Sequence, residues 1–241
     1  MTLFRNSVLI VASPRPRVGK TLLARLLTDF HLQEGRSVTA FDLNAGKGAL
    51  AQFLPEHVTR SAIDNLKGQM ALFDRLIADD GITKIVDLGH ESFESFFTLV
   101  YQFGFAGEAR GRRIGFAILF LLRPDLASID DFYSLRALLP QAVLAPVHNE
   151  IFGAAQQREI YGLTPGAAVM RLPLLASAVR KYVETPPFSF ADSRLADVDR
   201  DVDIELRHWL RRIYLEFREL DLRLLLTDLK SSIRPLIPTA S

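Results

Sequence analysis

Residues 7–30 read SVLIVA, then SPRPRVGK, then TLLARLLTDF, and this one stretch decides the fold class. Residues 7–12 form an unbroken apolar, β-branched run, which predicts a central parallel strand buried on both faces. Residues 13–20 are a proline-dense loop. From residue 21 to 33, Leu22, Leu23, Leu26, Leu27 and Phe30 line one side of a helix, and Gly35 stands where a helix C-cap is expected.

The rest of the chain repeats this alternation. Residues 37–43 predict a second strand, ending in a polar turn at 44–48, and residues 70–77 a helix stopped by the turn at 79–81. Residues 83–88 predict a third strand and 93–103 another helix. Two further buried strands, 114–122 and 142–147, flank a helix at 129–139. A short strand at 169–172 and a short helix at 175–183 complete the series. Strands alternating with helices predict an α/β fold: a doubly wound, mostly parallel sheet with helices on both faces. Pro186 and Pro187 break the pattern, and a long helix is expected over 201–232. The expected organisation is an α/β domain at 1–185 followed by a C-terminal helical extension at 186–241.

Val18-Gly19-Lys20-Thr21 lies between the buried strand and the amphipathic helix, the setting in which a Gly-Lys-Thr carries chemistry. Such a loop wraps backbone N–H groups around phosphates. The lysine supplies charge to the outer phosphates, the threonine hydroxyl ligates Mg²⁺, and the helix N-terminus adds its dipole. Val18, Gly19, Lys20, Thr21 and Leu22 are therefore the candidate phosphate cradle. Pro14 replaces the usual first glycine, Pro14 and Pro16 each remove an N–H, and Arg17 stands where glycine permits positive φ. An ordinary strand-to-helix turn is the alternative.

The order of these elements resembles the ParA/MinD family of deviant Walker P-loop ATPases over roughly residues 5 to 185. The family's loop reads Lys-Gly-Gly-x-Gly-Lys-Thr, and Arg15-Pro16-Arg17-Val18-Gly19-Lys20-Thr21 lies in register with it. The resemblance implies that Arg15 takes the place of the lysine that reaches the partner subunit's nucleotide. Asp42-Leu43-Asn44 lies where the family has Asp-x-Asp, which implies that Asp42 couples nucleotide to the switch. Asn44 replaces the second acid and cannot accept a proton at neutral pH, which implies slow or absent hydrolysis. Asp87 matches the carboxylate that holds Mg²⁺, with Thr21, and Asn149 the asparagine that contacts adenine. The segment 170–173 resembles the one that closes over the base. The implied cofactor is ATP or ADP with Mg²⁺. Turn or helix capping is the alternative role for Asp42, Asp87 and Asn149.

Composition bounds what else the chain can be. Of 241 residues 49% are hydrophobic and 24% charged, enough for a sizeable core. With Lys+Arg 29 and Asp+Glu 28 the formal charge of +1 demands no polyanionic partner. Cysteine is absent, which excludes disulfides, thiolate metal sites and a cysteine nucleophile. The histidines show no metal-ligand spacing, and no G-x-S-x-G elbow supports a serine hydrolase. No apolar run approaches membrane-spanning length, so a cytoplasmic, soluble protein without an integral membrane segment is expected. Arg110, Arg112 and Arg113 form a basic cluster of the kind that touches DNA non-specifically, but a solvated turn is the favoured reading and nothing in the sequence supports DNA contact. Paired acids at 79–80 and 130–131 read as partners of helix dipoles.

In the C-terminal helix Leu206, Leu210, Ile213, Phe217, Leu220 and Leu224 repeat at spacings of four and three. That seam packs either on its own domain or on a partner. The functional expectation is a nucleotide-dependent switch or positioning protein, homodimeric, with weak or absent ATP hydrolysis. The alternatives are a pseudo-ATPase scaffold that binds no nucleotide and a P-loop phosphotransferase.

Overall fold

A computed structural model describes residues 6–44, 49–153, 169–191 and 199–233. The elements run β1 (Ser7–Ala12), α1 (Lys20–Gln33), β2 (Val38–Leu43), α2 (Ala49–Phe53), β3 (Val58–Arg60), α3 (Leu66–Leu76), β4 (Thr83–Leu88), α4 (Phe93–Gln102), α5 (Phe105–Gly111), β5 (Gly115–Leu122), α6 (Leu126–Leu138), β6 (Val143–Asn149), β7 (Met170–Leu172), α7 (Ser177–Val183) and α8 (Arg200–Ile233). Among the described residues the strands form one seven-stranded sheet in the order β3-β2-β4-β1-β5-β6-β7, with every pairing parallel. It is a doubly wound α/β fold with a long C-terminal helix.

Strand alternation sorts the core into two layers. Leu9 and Val11 of β1, with Ala117, Leu119 and Leu121 of β5, face the layer that holds α1, α7 and α8. Val8, Ile10 and Ala12, with Ile118, Phe120 and Leu122, face the layer that holds α3, α4, α5 and α6. The continuous apolar runs exist because both faces of the central strands are covered.

The heptad-spaced seam of α8 lies inside this core. Leu206, Ile213, Phe217, Leu220 and Leu224 are buried in the α1-side layer, where Phe30 contacts Tyr214 and Phe217 at ring separations of 5.2 and 5.4 Å. Polar ties fix the helix as well. Trp209 Nε1 donates to Pro173 O at 2.9 Å, Arg36 pairs with Asp221 at 2.9 Å, and the edge-strand N–H of Arg171 donates to Glu216 at 3.2 Å.

Several elements differ from the sequence expectation. Helices α2 and α5 and strand β3 lie in stretches where no element was expected; β3 has three residues and α2 five, too short for a periodicity to register. Helix α3 starts at Leu66, not at residue 70, because Asn65 caps it by accepting from Gly68 N at 2.9 Å. Gly68 itself interrupts the apolar pattern. The basic loop at 110–113 is in part a helix: Arg110 lies in the last turn of α5, and Arg112 Nε donates to Glu108 at 2.7 Å. Asp131 lies inside α6, not at its start, and pairs with Arg15. Of the polar turn at 44–48, residues 45–48 lie outside the described residues.

Candidate functional site

The site is assembled at the carboxyl ends of the central strands, where ligands collect in doubly wound sheets. The register sets Asp42 of β2 directly beside Asp87 of β4, and Val11 of β1 on the other side of Asp87. Two carboxylates thus share one face of the sheet below the loop that joins β1 to α1.

Asp87 is fully buried. Its Oδ2 accepts from Thr21 Oγ1 at 2.7 Å and from Asn44 Nδ2 at 2.9 Å, whereas Oδ1 is buried with no hydrogen-bond partner among the described residues. Burial pushes the carboxyl up to about 6; Asp42 adds to the rise, and the bonds from Thr21 and Asn44 oppose it. Asp42 is also buried. Its Oδ1 accepts from Asn44 N at 3.1 Å and Asn44 Nδ2 at 2.9 Å, and its Oδ2 accepts from Ala51 N at 3.1 Å. Asp42 therefore holds the first turn of α2 and is tied to Asp87 through Asn44.

The loop above these acids is held by contacts its sequence supplies. Gly19 caps α1 at φ 101°, and a Cβ built there would lie 2.7 Å from Asn149 Nδ2, so glycine is required by both conformation and space. Arg17 adopts φ 58°, the left-handed region that glycine usually fills. Helix α1 has no side-chain N-cap, which leaves the first N–H groups of the helix, those of Lys20, Thr21 and Leu22, without intrahelical acceptors. Lys20 is buried and donates Nζ to Arg15 O at 2.8 Å and Ser13 O at 3.3 Å. Burial lowers its pKa, and the charge of Asp87 opposes that.

The loop floors an open cleft of about 580 Å³ lined by Lys20, Thr21, Asn44, His90, Asn149 and Arg180 among others. Pro173, Leu174 and Leu175 form an apolar wall, and Arg180 and Glu184 of the α7 region stand beyond it. Val18, Gly19 and Leu22 line it too. Arg15 does not; its guanidinium pairs with Asp131 of α6 at 3.1 Å. Asp42 lines a neighbouring cleft with Arg60, Ser61 and Asp64. Asn149 donates Nδ2 to Val18 O at 3.0 Å and accepts from Ile151 N at 3.1 Å, so its amide fixes the loop. Ile151, Leu174, Leu175, Arg180 and Glu184 were not singled out from the sequence. The one available signal was their position just after β6 and β7, at the ligand end of the sheet.

The donor set fits a hard cation beside phosphates. A buried carboxylate with an unpartnered oxygen lies next to a threonine hydroxyl, and both are oxygen ligands of the kind Mg²⁺ takes. The fold and site define a class: a doubly wound α/β protein whose strand–loop–helix places a lysine, a threonine and a buried aspartate around a helix N-terminus.

No family model matches this chain, and no curated protein matches it in sequence. Among solved structures it is similar to a nucleotide-binding protein from Archaeoglobus fulgidus determined in complex with ADP. That likeness has 12% identity over 87% of this chain and 88% of that one, with a TM-score of 0.45. It is also similar to a chain of the Aquifex aeolicus MinC:MinD cell division protein complex, at 14% identity over 98% of each chain and a TM-score of 0.48. At these levels neither likeness carries a functional inference. Among the described residues no helix is long and apolar enough to cross a membrane.

Proposed function

We propose that the protein is a ParA/MinD-like nucleotide switch that binds ATP or ADP with Mg²⁺ and hydrolyses ATP slowly or not at all. The observation that carries this reading is the joining of Thr21, Asp87, Asn44 and Asp42 into one hydrogen-bonded chain beneath an uncapped helix N-terminus. Lys20 serves the outer phosphates, with the N–H groups of the 18–22 loop, and Thr21 and Asp87 serve the metal. The unit at 1–185 carries the nucleotide and the extension at 186–241 supports it.

Slow hydrolysis follows from Asn44. Its amide nitrogen donates to both carboxylates, and an amide cannot take a proton from water. Asp42 holds α2 by the Ala51 N–H, so release of Asn44 from either acid reaches α2. Nucleotide would act by shifting the position of α2, which in turn favours a homodimer or a protein partner. Arg15 would have to leave Asp131 to reach a second subunit, and Asn149 would have to leave Val18 to reach a base.

A second reading, a scaffold that binds no nucleotide, is favoured by the same two commitments and by the N–H groups lost at Pro14 and Pro16. Calorimetric titration of Mg²⁺-ATP into wild type and Lys20→Ala, with sedimentation of the same samples, separates the readings. Micromolar binding lost in Lys20→Ala is expected. No binding by wild type would sink the switch and leave the scaffold.

A further inference from the structure

The apolar wall of the cleft, Pro173 to Leu175, follows directly after an edge strand. Strand β7 has three residues and pairs with β6 alone, and Pro173 brings no N–H of its own. Side chains from elsewhere fix the wall instead. Trp209 of α8 donates Nε1 to Pro173 O at 2.9 Å, and Glu150 Oε2 accepts from Leu174 N at 3.1 Å. Glu150 is itself tied to α8, since its Oε1 accepts from Arg212 at 3.4 Å. Glu216 of α8 accepts from Arg171 N at 3.2 Å, covering the open edge of β7. Behind these bonds Leu172 and Leu175 share one buried layer with Leu206, Trp209 and Ile213. The same corner reaches the phosphate loop. Asn149, next to Glu150 in sequence, donates to Val18 O at 3.0 Å, so two consecutive residues at the end of β6 hold loop and wall.

On the nucleotide reading of this cleft, we infer that α8 positions the wall against which the base and ribose lie, with Trp209 and Glu150 as the positioning residues. The phosphate end of the cleft is held differently. Lys20, Thr21 and the first N–H groups of α1 serve it, and among the described residues no hydrogen bond or ion pair of α8 reaches residues 13–22. The two ends of the ligand therefore answer to different parts of the chain. Loosening the ties of α8 weakens the hold on base and ribose and leaves the hold on the phosphates unchanged.

Calorimetric titration of the full chain with Mg²⁺-ATP and with Mg²⁺-tripolyphosphate, which has phosphates and no base, separates the two ends. Trp209→Phe keeps an aromatic ring and removes the donor, and Glu150→Ala removes both bonds of the carboxylate. Each should weaken ATP binding about three- to tenfold and leave tripolyphosphate binding within about twofold. Lys20→Ala should weaken both ligands. Asp221→Asn cuts the Arg36 tie of α8, away from the wall, and should change neither. It controls for a merely structural role, because it too loosens α8. A misfolded Trp209→Phe leaves Glu150→Ala to decide. Unchanged ATP affinity in both variants, or equal loss of ATP and tripolyphosphate, overturns the inference and leaves the nucleotide reading standing. So does a loss in Asp221→Asn equal to that in Trp209→Phe. Wild type that binds neither ligand sinks the nucleotide reading and the inference together.

Discussion

The amide nitrogen of Asn44 lies 2.9 Å from Asp42 Oδ1 and 2.9 Å from Asp87 Oδ2, bridging two buried carboxylates with one neutral donor. An aspartate in its place would add a third negative group and remove both bonds. Asn44→Asp should therefore lose about 2 kcal/mol or more at neutral pH. The introduced acid takes a raised pKa among its neighbours, so the loss should shrink as pH falls towards 4. Urea denaturation of both proteins at pH 4.5 and pH 8 checks the magnitude and the trend.

Asp87 makes the wild type itself pH-sensitive. Its folded pKa of about 6 exceeds the ordinary 3.8, so the folded state binds the proton more tightly between those values. Stability from this group is full below pH 4, falls as pH rises through 6, and is lower by up to about 3 kcal/mol beyond that. Asp87→Asn removes the ionisation. The stability difference, mutant minus wild type, should rise from pH 4 to pH 7 and then level off, while Mg²⁺-dependent nucleotide binding is lost.

Gly19 and Asn149 are coupled by space. Gly19→Ala strains φ and drives a methyl into Asn149 Nδ2, and about 2 kcal/mol of destabilisation is expected. Asn149→Ala leaves Val18 O unpartnered and should cost about 1 kcal/mol. The double variant relieves the clash, so its cost should fall short of the two single costs added together. A thermodynamic cycle from denaturant melts reads the coupling directly.

Asp29 is fully buried on α1, where it accepts from Ser189 Oγ at 2.8 Å and Phe190 N at 2.6 Å. Asp29→Ala strands both donors and also withdraws a charge from Arg25, whose pKa burial lowers to about 10. A loss of about 3 kcal/mol is expected by urea titration. Asp29→Asn, which keeps an acceptor for one donor, should lose less.

The central architecture was legible because β1, β4 and β5 carry unbroken apolar runs and their helices carry a one-sided pattern. The candidate phosphate and metal residues were legible for a related reason: Lys20, Thr21, Asp42 and Asp87 each follow or end such a run. What Asn44 and Asn149 hold was not legible, since each amide nitrogen reaches a group far away in sequence, Asp87 for Asn44 and Val18 for Asn149. Arg15 reads as a free cation from its neighbours, and its partner Asp131 lies on a helix more than a hundred residues later. The two-sidedness of α8 was hidden for another reason. In sequence Leu222 and Leu226 stand two places after the heptad residues Leu220 and Leu224, and their separation onto another face emerges once the buried side is known.

Helix α1 has Lys20 and Thr21 in its first turn, and roughly one, two and three turns further on Arg25, Asp29 and Gln33. Arg25 sits 3.6 Å over the Phe53 ring of α2, Asp29 holds Phe190, and Gln33 Nε2 donates to Phe190 O at 2.8 Å. The helix is thus a shaft, with the loop at one end and both α2 and the 188–190 strap clamped along its length. A rotation or slide of the helix at Thr21 would carry the strap with it, since the clamps are directional and spaced along the whole helix. The strap's backbone then registers motion at the loop, at a distance the loop's own hydrogen bonds never reach.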